Sequence, residues 1–477
     1  MTAPAALSTL VDRRRERLLV GGCCIAAVVA GAATAAGGGP AVAVALAGAA
    51  LFVLVVTRPV AAAYLFIAAL PFIAGIERGL VVPQMRPHEA LQAFVTVAVL
   101  AGVYVRVLRG DTLSVRATRL DRAILALATL GSLWPLLWLL VRGQDPTSTD
   151  VFSTVTLWRL AALYALFRYV VRTPQQVRRC LWILLAGASA LAVFAVLQSI
   201  GLPTISVSAE AGGGRGNATL SSSIAVGDYL AYSLAVVLGL YLRGATSGRL
   251  LAGVGTVLVI GVLGTGQFSA WIAAPIVLLA IAAHERQLAR LATRALPALA
   301  VGLVVAWPVV GRRLSGFGGD LGYPSSWHGR IDNLTNFYLP ELGGFRWILG
   351  VRPDPVLPAP ETWRDVIYLE SGVLWLLWVG GIPMLLAFGW FLYTAFRHTH
   401  RVAVSRSDDI GVVSLAAFGS LCAMSVLMTI DMHLTLRGGG DLLFILLGLS
   451  ANRLVPPSPG PDEIPRSSST QEQMRSP

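Results

Sequence analysis

Residues 172–200 read RTPQQVRRCLWILLAGASALAVFAVLQSI, and this stretch decides the fold class. Between Cys180 and Ile200 no side chain is charged, while Arg172, Arg178 and Arg179 stand at the head of the run. A hydrocarbon layer about 30 Å thick takes roughly 20 apolar residues of helix to cross. Residues 180–200 therefore read as one membrane crossing whose basic end stays in water.

The same unit recurs outward in both directions. Candidate crossings fall at 18–37, 41–57, 59–76, 90–107, 122–141 and 153–171 on the N-terminal side. On the C-terminal side they fall at 224–242, 250–265, 267–283, 296–311, 368–393, 410–430 and 440–453. The expected fold is an all-α polytopic membrane protein of about fourteen transmembrane helices, counted by that length rule. Composition agrees: the 477 residues are 55% hydrophobic and 13% charged, against about 45–50% and about 25% for soluble domains. Residues 1–17 are expected to be a cytoplasmic N-terminal segment, 18–453 the transmembrane domain, and 454–477 a disordered cytoplasmic tail rich in Pro, Ser and Gln.

Net charge is +12, and every basic residue is Arg. A nucleic-acid binder gathers such charge on one soluble face; here it sits in short connections between apolar runs. Arg13 to Arg17, Arg106 to Arg122, Arg172 to Arg179, Arg243 with Arg249, Arg286 to Arg294 and Arg397 to Arg406 all fall on one side of a fourteen-crossing chain. The positive-inside rule makes that side cytoplasmic, with both termini on it. An Arg-only, Ala- and Gly-rich composition suits a GC-rich bacterial genome, and the expected location is the plasma membrane. Cys23, Cys24, Cys180 and Cys422 all lie in apolar runs and read as small buried side chains.

Two connections on the opposite, outer side are long: 201–223, rich in Gly and Ser, and 312–367, which holds Trp327, Tyr338, Trp347 and Trp363. Connections beyond ~12–15 residues are commonly functional, and the aromatic content predicts a structured outer loop. Arg215 stands in the Gly212-Gly213-Gly214-Arg215-Gly216-Asn217 loop, ahead of Asp228. A guanidinium fork suits phosphate because it donates two parallel charge-assisted hydrogen bonds. His328, Arg330 and Asp332 crowd together after Arg312 and Arg313, and Glu370 closes the connection beside an apolar run. A carboxylate near hydrocarbon is costly unless paired, so Glu370 is either an ion-pair partner or a functional base; a helix N-terminal cap accounts for it equally well. Asp431, His433, Arg437 and Asp441 read as structural ion pairing between the last two crossings. Asn217-Ala218-Thr219 and Asn333-Leu334-Thr335 match glycosylation acceptors by chance. Phosphate-loop, paired-His and Asp-x-Asp signatures are missing from the sequence, which argues against an ATPase and a metal-dependent transferase.

Over roughly residues 200–395 the arrangement resembles the O-antigen ligase and polysaccharide polymerase superfamily. The resemblance rests on Arg215 with Asn217 before a helix, a central helix pair, and a long outer loop with Arg330. It continues with Trp347-Ile348-Leu349-Gly350-Val351-Arg352-Pro353, similar to the family's Leu-Gly-Val-Gly turn, and a helix reaching Gly380-Gly381-Ile382-Pro383. Glu370-Ser371 stands where members commonly carry His-Asn, and Gln267-Phe268-Ser269 replaces their Ser-Arg-Gly. The resemblance implies a metal-independent membrane glycosyltransferase without cofactor. It would move a glycan from a polyprenyl-pyrophosphate donor to a hydroxyl of a glycan or lipid acceptor at the outer face, among polysaccharide assembly proteins. Arg215 and Arg330, with Arg352 third, would hold the pyrophosphate; Glu370 or His328 would be the catalytic acid-base residue. Two alternatives are a transporter or flippase of lipid-linked saccharide, and a non-catalytic component of polysaccharide assembly. Charges at mid-crossing, of which Arg159 and Arg168 come nearest, would favour the transporter.

Overall fold

The structure, a computed structural model, describes residues 39–110, 117–202, 215–244, 246–315, 325–358 and 366–452. The expected first crossing at 18–37, the tail at 454–477, Gly212 to Gly214 and Trp363 lie outside them, as does the side chain of His328.

The described chain is almost wholly helical: α1 (Gly39–Thr57), α2 (Val60–Ile73), α3 (Pro87–Leu108), α4 (Arg119–Leu130), α5 (Leu133–Val141), α6 (Ser148–Val170) and α7 (Pro174–Ser199). Then come α8 (Ser223–Leu242), α9 (Gly248–Gly264), α10 (Phe268–His284) and α11 (Leu288–Ser315). The long connection follows with α12 (Ser325–Asn333), a π-turn (Leu334–Tyr338), α13 (Leu339–Glu341), α14 (Arg346–Leu349) and a two-residue pairing of β1 (Leu357–Pro358) with β2 (Val366–Ile367). Last are α15 (Gly372–Ser405), α16 (Asp409–Leu427) and α17 (Gly439–Ser450). Eight helical segments, with α4 and α5 taken as one, are long and apolar enough to cross a membrane, and five shorter apolar helices accompany them.

Local chemistry sets the ends. Thr118, Thr147 and Thr173 each cap a helix start, with Asp121, Asp150 and Gln176 three residues on returning the bond; such reciprocal pairs satisfy two amides that the first turn leaves over. The expected crossing at 122–141 is interrupted between α4 and α5, where the Ser132 hydroxyl donates to Ala128 O at 2.5 Å. A serine that bonds back to its own turn competes with the helix ladder. α15 outruns its expected end at 393 and continues through the polar residues to Ser405.

Two units divide the chain by contact, residues 1–69 with 78–116 and residues 70–77 with 117–477. In the first, α1 packs on α3 so closely at Gly102 that a Cβ there would lie 2.8 Å from Val56 O, and Phe52 meets Phe94 edge-on at 6.0 Å. In the second, α8 is the central post: it packs against α7, α9, α10, α16 and α17, and nearly all its residues are buried. α15 lies against α4 and α16, and α17 against α6. Because chain direction alternates, one end of this second unit gathers the starts of α6, α8, α10, α15 and α17 with the ends of α7, α9, α11 and α16. Arg215, Arg330, Arg352 and Glu370 all belong to connections at that end.

Candidate functional site

Arg215 enters the site from a loop that has little freedom. Gly216 N donates to Gly264 O at 3.2 Å, and a Cβ on Gly216 would come within 2.4 Å of Ala195 O. Ala218 N donates to Gln198 Oε1 at 2.6 Å, and the Thr219 and Ser221 hydroxyls donate to Pro71 O and Gly75 O. The loop is thereby fixed on α7, on the last turn of α2 and on Gly75 just beyond it. Gly266, at φ 63°, lies between two arginines: its Cβ would stand 3.7 Å from Arg215 Cγ and 3.8 Å from Arg313 Cγ. Arg313 also lies over the Phe268 ring, 4.8 Å from its centre. Arg312 beside it donates to Ser199 O at 3.0 Å. Among the described residues neither Arg215 nor Arg313 has an acidic partner within salt-bridge distance. Gln267 Nε2 donates to Ser223 Oγ at 2.5 Å, tying this arginine pair to the head of α8.

A second group gathers about Arg330. Its Nε is 2.9 Å from Glu370 Oε2, and its Nη2 is 3.9 Å from Asp431 Oδ2. Arg330 Nη1 also donates to Ile430 O at 3.4 Å. Behind Asp431, His433 Nδ1 and Asp228 Oδ2 are 2.7 Å apart, and both residues are 0% exposed. Burial works against a charged His433 imidazole, but the Asp228 carboxylate beside it, with Asp431, outweighs burial and raises its pKa. Five residues of α8 separate Ser223 from Asp228, a rise of about 7.5 Å, so the two groups are neighbours along one post. Tyr338 closes the near side: its hydroxyl is 2.7 Å from Pro355 O and 2.8 Å from Ile367 O. Burial first, then the charges of Asp354 and Glu370, push the Tyr338 phenol well above its ordinary range.

Arg352 is placed differently. Its Nη2 is 2.8 Å and its Nε 3.2 Å from the fully buried Asp150, which also accepts from Asp354 N at 3.2 Å. The Asp150 hydrogen bond raises the Arg352 pKa more than burial lowers it. The turn that carries Arg352 packs on the Gly380-Gly381 step: Val351 N donates to Trp378 O at 2.6 Å, and a Cβ on Gly350 would lie 2.6 Å from Val379 O.

The structure thus brings Arg330 and Glu370 together, sets Arg215 beside Arg313, and turns Arg352 to Asp150. Asp228, Asp431, His433 and Arg313 complete the groups without site roles assigned from sequence: Asp228 and Arg313 stand beside the Arg215 loop and in the long connection, and Asp431 with His433 in the polar run before the last apolar helix. No three His, Cys, Asp or Glu side chains gather as a metal site among the described residues. The arrangement offers an anion two unneutralised guanidinium groups and, on the same helix head, an arginine shared by two carboxylates. No protein-family model matches the chain and no curated protein matches it in sequence.

Proposed function

We propose that the protein transfers a glycan from a polyprenyl-pyrophosphate donor to an acceptor hydroxyl. Transfer would take place at the non-cytoplasmic face of a bacterial plasma membrane that the chain crosses fourteen times, with both termini inside. The observation that carries this reading is the Arg215–Arg313 pair, side by side without an acidic partner among the described residues. Two like charges held together disfavour each other, so a multivalent anion between them relieves the arrangement, and a pyrophosphate fits both forks. Phe268 supports Arg313 by cation–π contact.

In the proposed reaction the acceptor oxygen forms a bond to the anomeric carbon while the bond from that carbon to pyrophosphate breaks. The electron pair departs with the pyrophosphate, where the two arginines offset its charge. Glu370 takes the acceptor proton, and Arg330 orients its carboxylate. The resemblance to the O-antigen ligase and polymerase superfamily supports the same roles.

A second reading, transport of a lipid-linked saccharide, is favoured by one charge at mid-helix, Arg159 of α6, which pairs with Asp441 in the first turn of α17. Charges at such depth commonly mark transport pathways. Both readings meet one experiment, a deletion strain complemented with wild type, Arg215→Ala, Arg313→Ala or Glu370→Gln at matched membrane levels. Each variant is expected to lower transfer by at least about 100-fold, the scale of losing one electrostatic stabiliser, with lipid-linked precursor accumulating on the outer leaflet. Undiminished transfer in all three would sink the site, and precursor retained on the inner leaflet of the deletion strain would establish transport.

A further inference from the structure

Around the head of α8, four polar atoms are buried without a hydrogen-bond partner: Asp228 Oδ1, His433 Nε2 and the hydroxyls of Tyr229 and Tyr232. All four residues are 0% exposed. They converge on the segment that enters α17: a Cβ on Gly438 would lie 3.6 Å from the Tyr229 ring, and one on Gly439 would lie 2.7 Å from Asp228 Cβ. Buried donors and acceptors are nearly always satisfied, so a cluster of exceptions points to something that is exchanged there.

The charged and titratable groups facing this spot come from each element around it. Tyr232 on α8 lies in the field of Asp228, Asp441 of α17 acts on Tyr229, and Asp431 and Arg330 face His433. Asp441 is already matched by Arg159 and by Gly438 N, which donates to it at 2.9 Å. Asp228 is different, because among the described residues its carboxylate is bonded to an imidazole. A neutral imidazole would leave an ionised carboxylate sealed inside the bundle, and burial strongly disfavours an uncompensated charge. One additional proton on His433 Nε2 balances that charge, leaving an imidazolium against the Asp228 carboxylate.

We infer that Asp228 and His433 together form a proton-binding site within the membrane domain, holding one proton beyond that of a neutral imidazole and exchanging it outward along the side lined by Asp431, Arg330 and Glu370, with Arg330 keeping its own protons throughout. Side-chain exposure rises along that route, from 0% at His433 to 13% at Asp431, 23% at Arg330 and 26% at Glu370. With the proton bound, the pair is neutral and Arg330 rests on Glu370. When the proton leaves, the new charge behind Asp431 draws Arg330 inward, away from Glu370. The direction follows from the sign: a histidine held above its ordinary pKa keeps its proton below that ordinary value, and loses it as pH rises through the raised one.

The test is nitrogen-15 histidine NMR on the full chain in lipid nanodiscs, titrated from about pH 5 to 9 around the ordinary histidine value. His433→Gln identifies the resonance by its loss. In the wild type the His433 ring is expected to stay protonated at least one pH unit above an ordinary histidine, a tenfold shift in proton affinity, and Asp228→Asn is expected to abolish the shift. If Asp228→Asn fails to fold, Asp431→Asn takes its place and is expected to lower the midpoint in the same direction by less. A neutral His433 across the range, or a midpoint indifferent to both carboxylate changes, overturns the inference. This readout uses no substrate. The companion readout, loss of transfer on the alkaline side with the same midpoint, rests on the proposed function; a titrating His433 with no transfer at any pH would fault that function and leave the proton site standing.

Discussion

Arg352 and Arg330 are the same residue type on one connection, yet their surroundings give them opposite expectations. Arg352 is gripped by Asp150, a 0% exposed carboxylate that also receives the Thr147 and Asp354 amides. Arg352→Ala leaves that carboxylate short of one charged partner. The expected cost is about 1–3 kcal/mol, the penalty for stranding a buried acceptor, moderated because Arg352 itself is partly exposed. A lowered melting temperature in detergent, with transfer per folded molecule preserved, is the outcome that checks it; transfer lost at full stability would return Arg352 to the substrate. Arg330 and Glu370 were legible from sequence, since both bracket one connection and each needs a counter-charge near hydrocarbon. The Asp228–His433 pair was not: its members stand 205 residues apart, and only the packing of α8 beside the α17 entry makes them neighbours.

At the scale of elements, the glycines of α15 decide where the long connection can dock. Gly381 adopts φ 63° inside the helix, and a Cβ there would fall 2.1 Å from Ile348 O. With ψ at −156° this is the extended positive-φ region that essentially only glycine occupies, at a cost of roughly 1–3 kcal/mol for a residue with a side chain, and the collision with α14 adds to it. Gly381→Ala is therefore expected to separate α14 from α15 and reduce the amount of folded protein in the membrane, measured by fluorescence-detected size exclusion; an unchanged elution profile would contradict this packing. The Trp347–Pro353 turn and the Gly380–Pro383 step were visible in the sequence as two separate motifs. They are two sides of one contact, which no spacing along the chain could reveal. Hydropathy likewise located the apolar helices but not the break between α4 and α5, because a run of leucines hides a serine that folds back on its own turn.

For the whole molecule, the division of charge predicts an orientation. Glu341 is exposed in the connection before α15, at the end that carries Arg330, whereas Ser407 is exposed at the opposite end between α15 and α16. By the positive-inside rule Ser407 is expected on the cytoplasmic side. A cysteine at Glu341 is expected to react with a membrane-impermeant maleimide on intact cells, and one at Ser407 only after lysis. The reverse pattern would put the candidate site inside the cell and remove the proposed outer-leaflet chemistry.

The turn that carries Arg352 is also clamped from α5, and that clamp has a history in time. Trp134 Nε1 and Trp138 Nε1 donate to Leu349 O at 3.1 Å and Gly350 O at 3.0 Å, and Arg142 donates to Val351 O. Trp138 and Gly350 are separated by 212 residues. At roughly 5–20 residues per second of synthesis, about 10–40 s pass between the emergence of the donors and that of their acceptors. Through that interval the indoles and the guanidinium wait at the membrane surface for a segment the ribosome has not yet made. A chain released early is thus marked by three donors with nothing to hold, and completion of the clamp records that translation has passed residue 351.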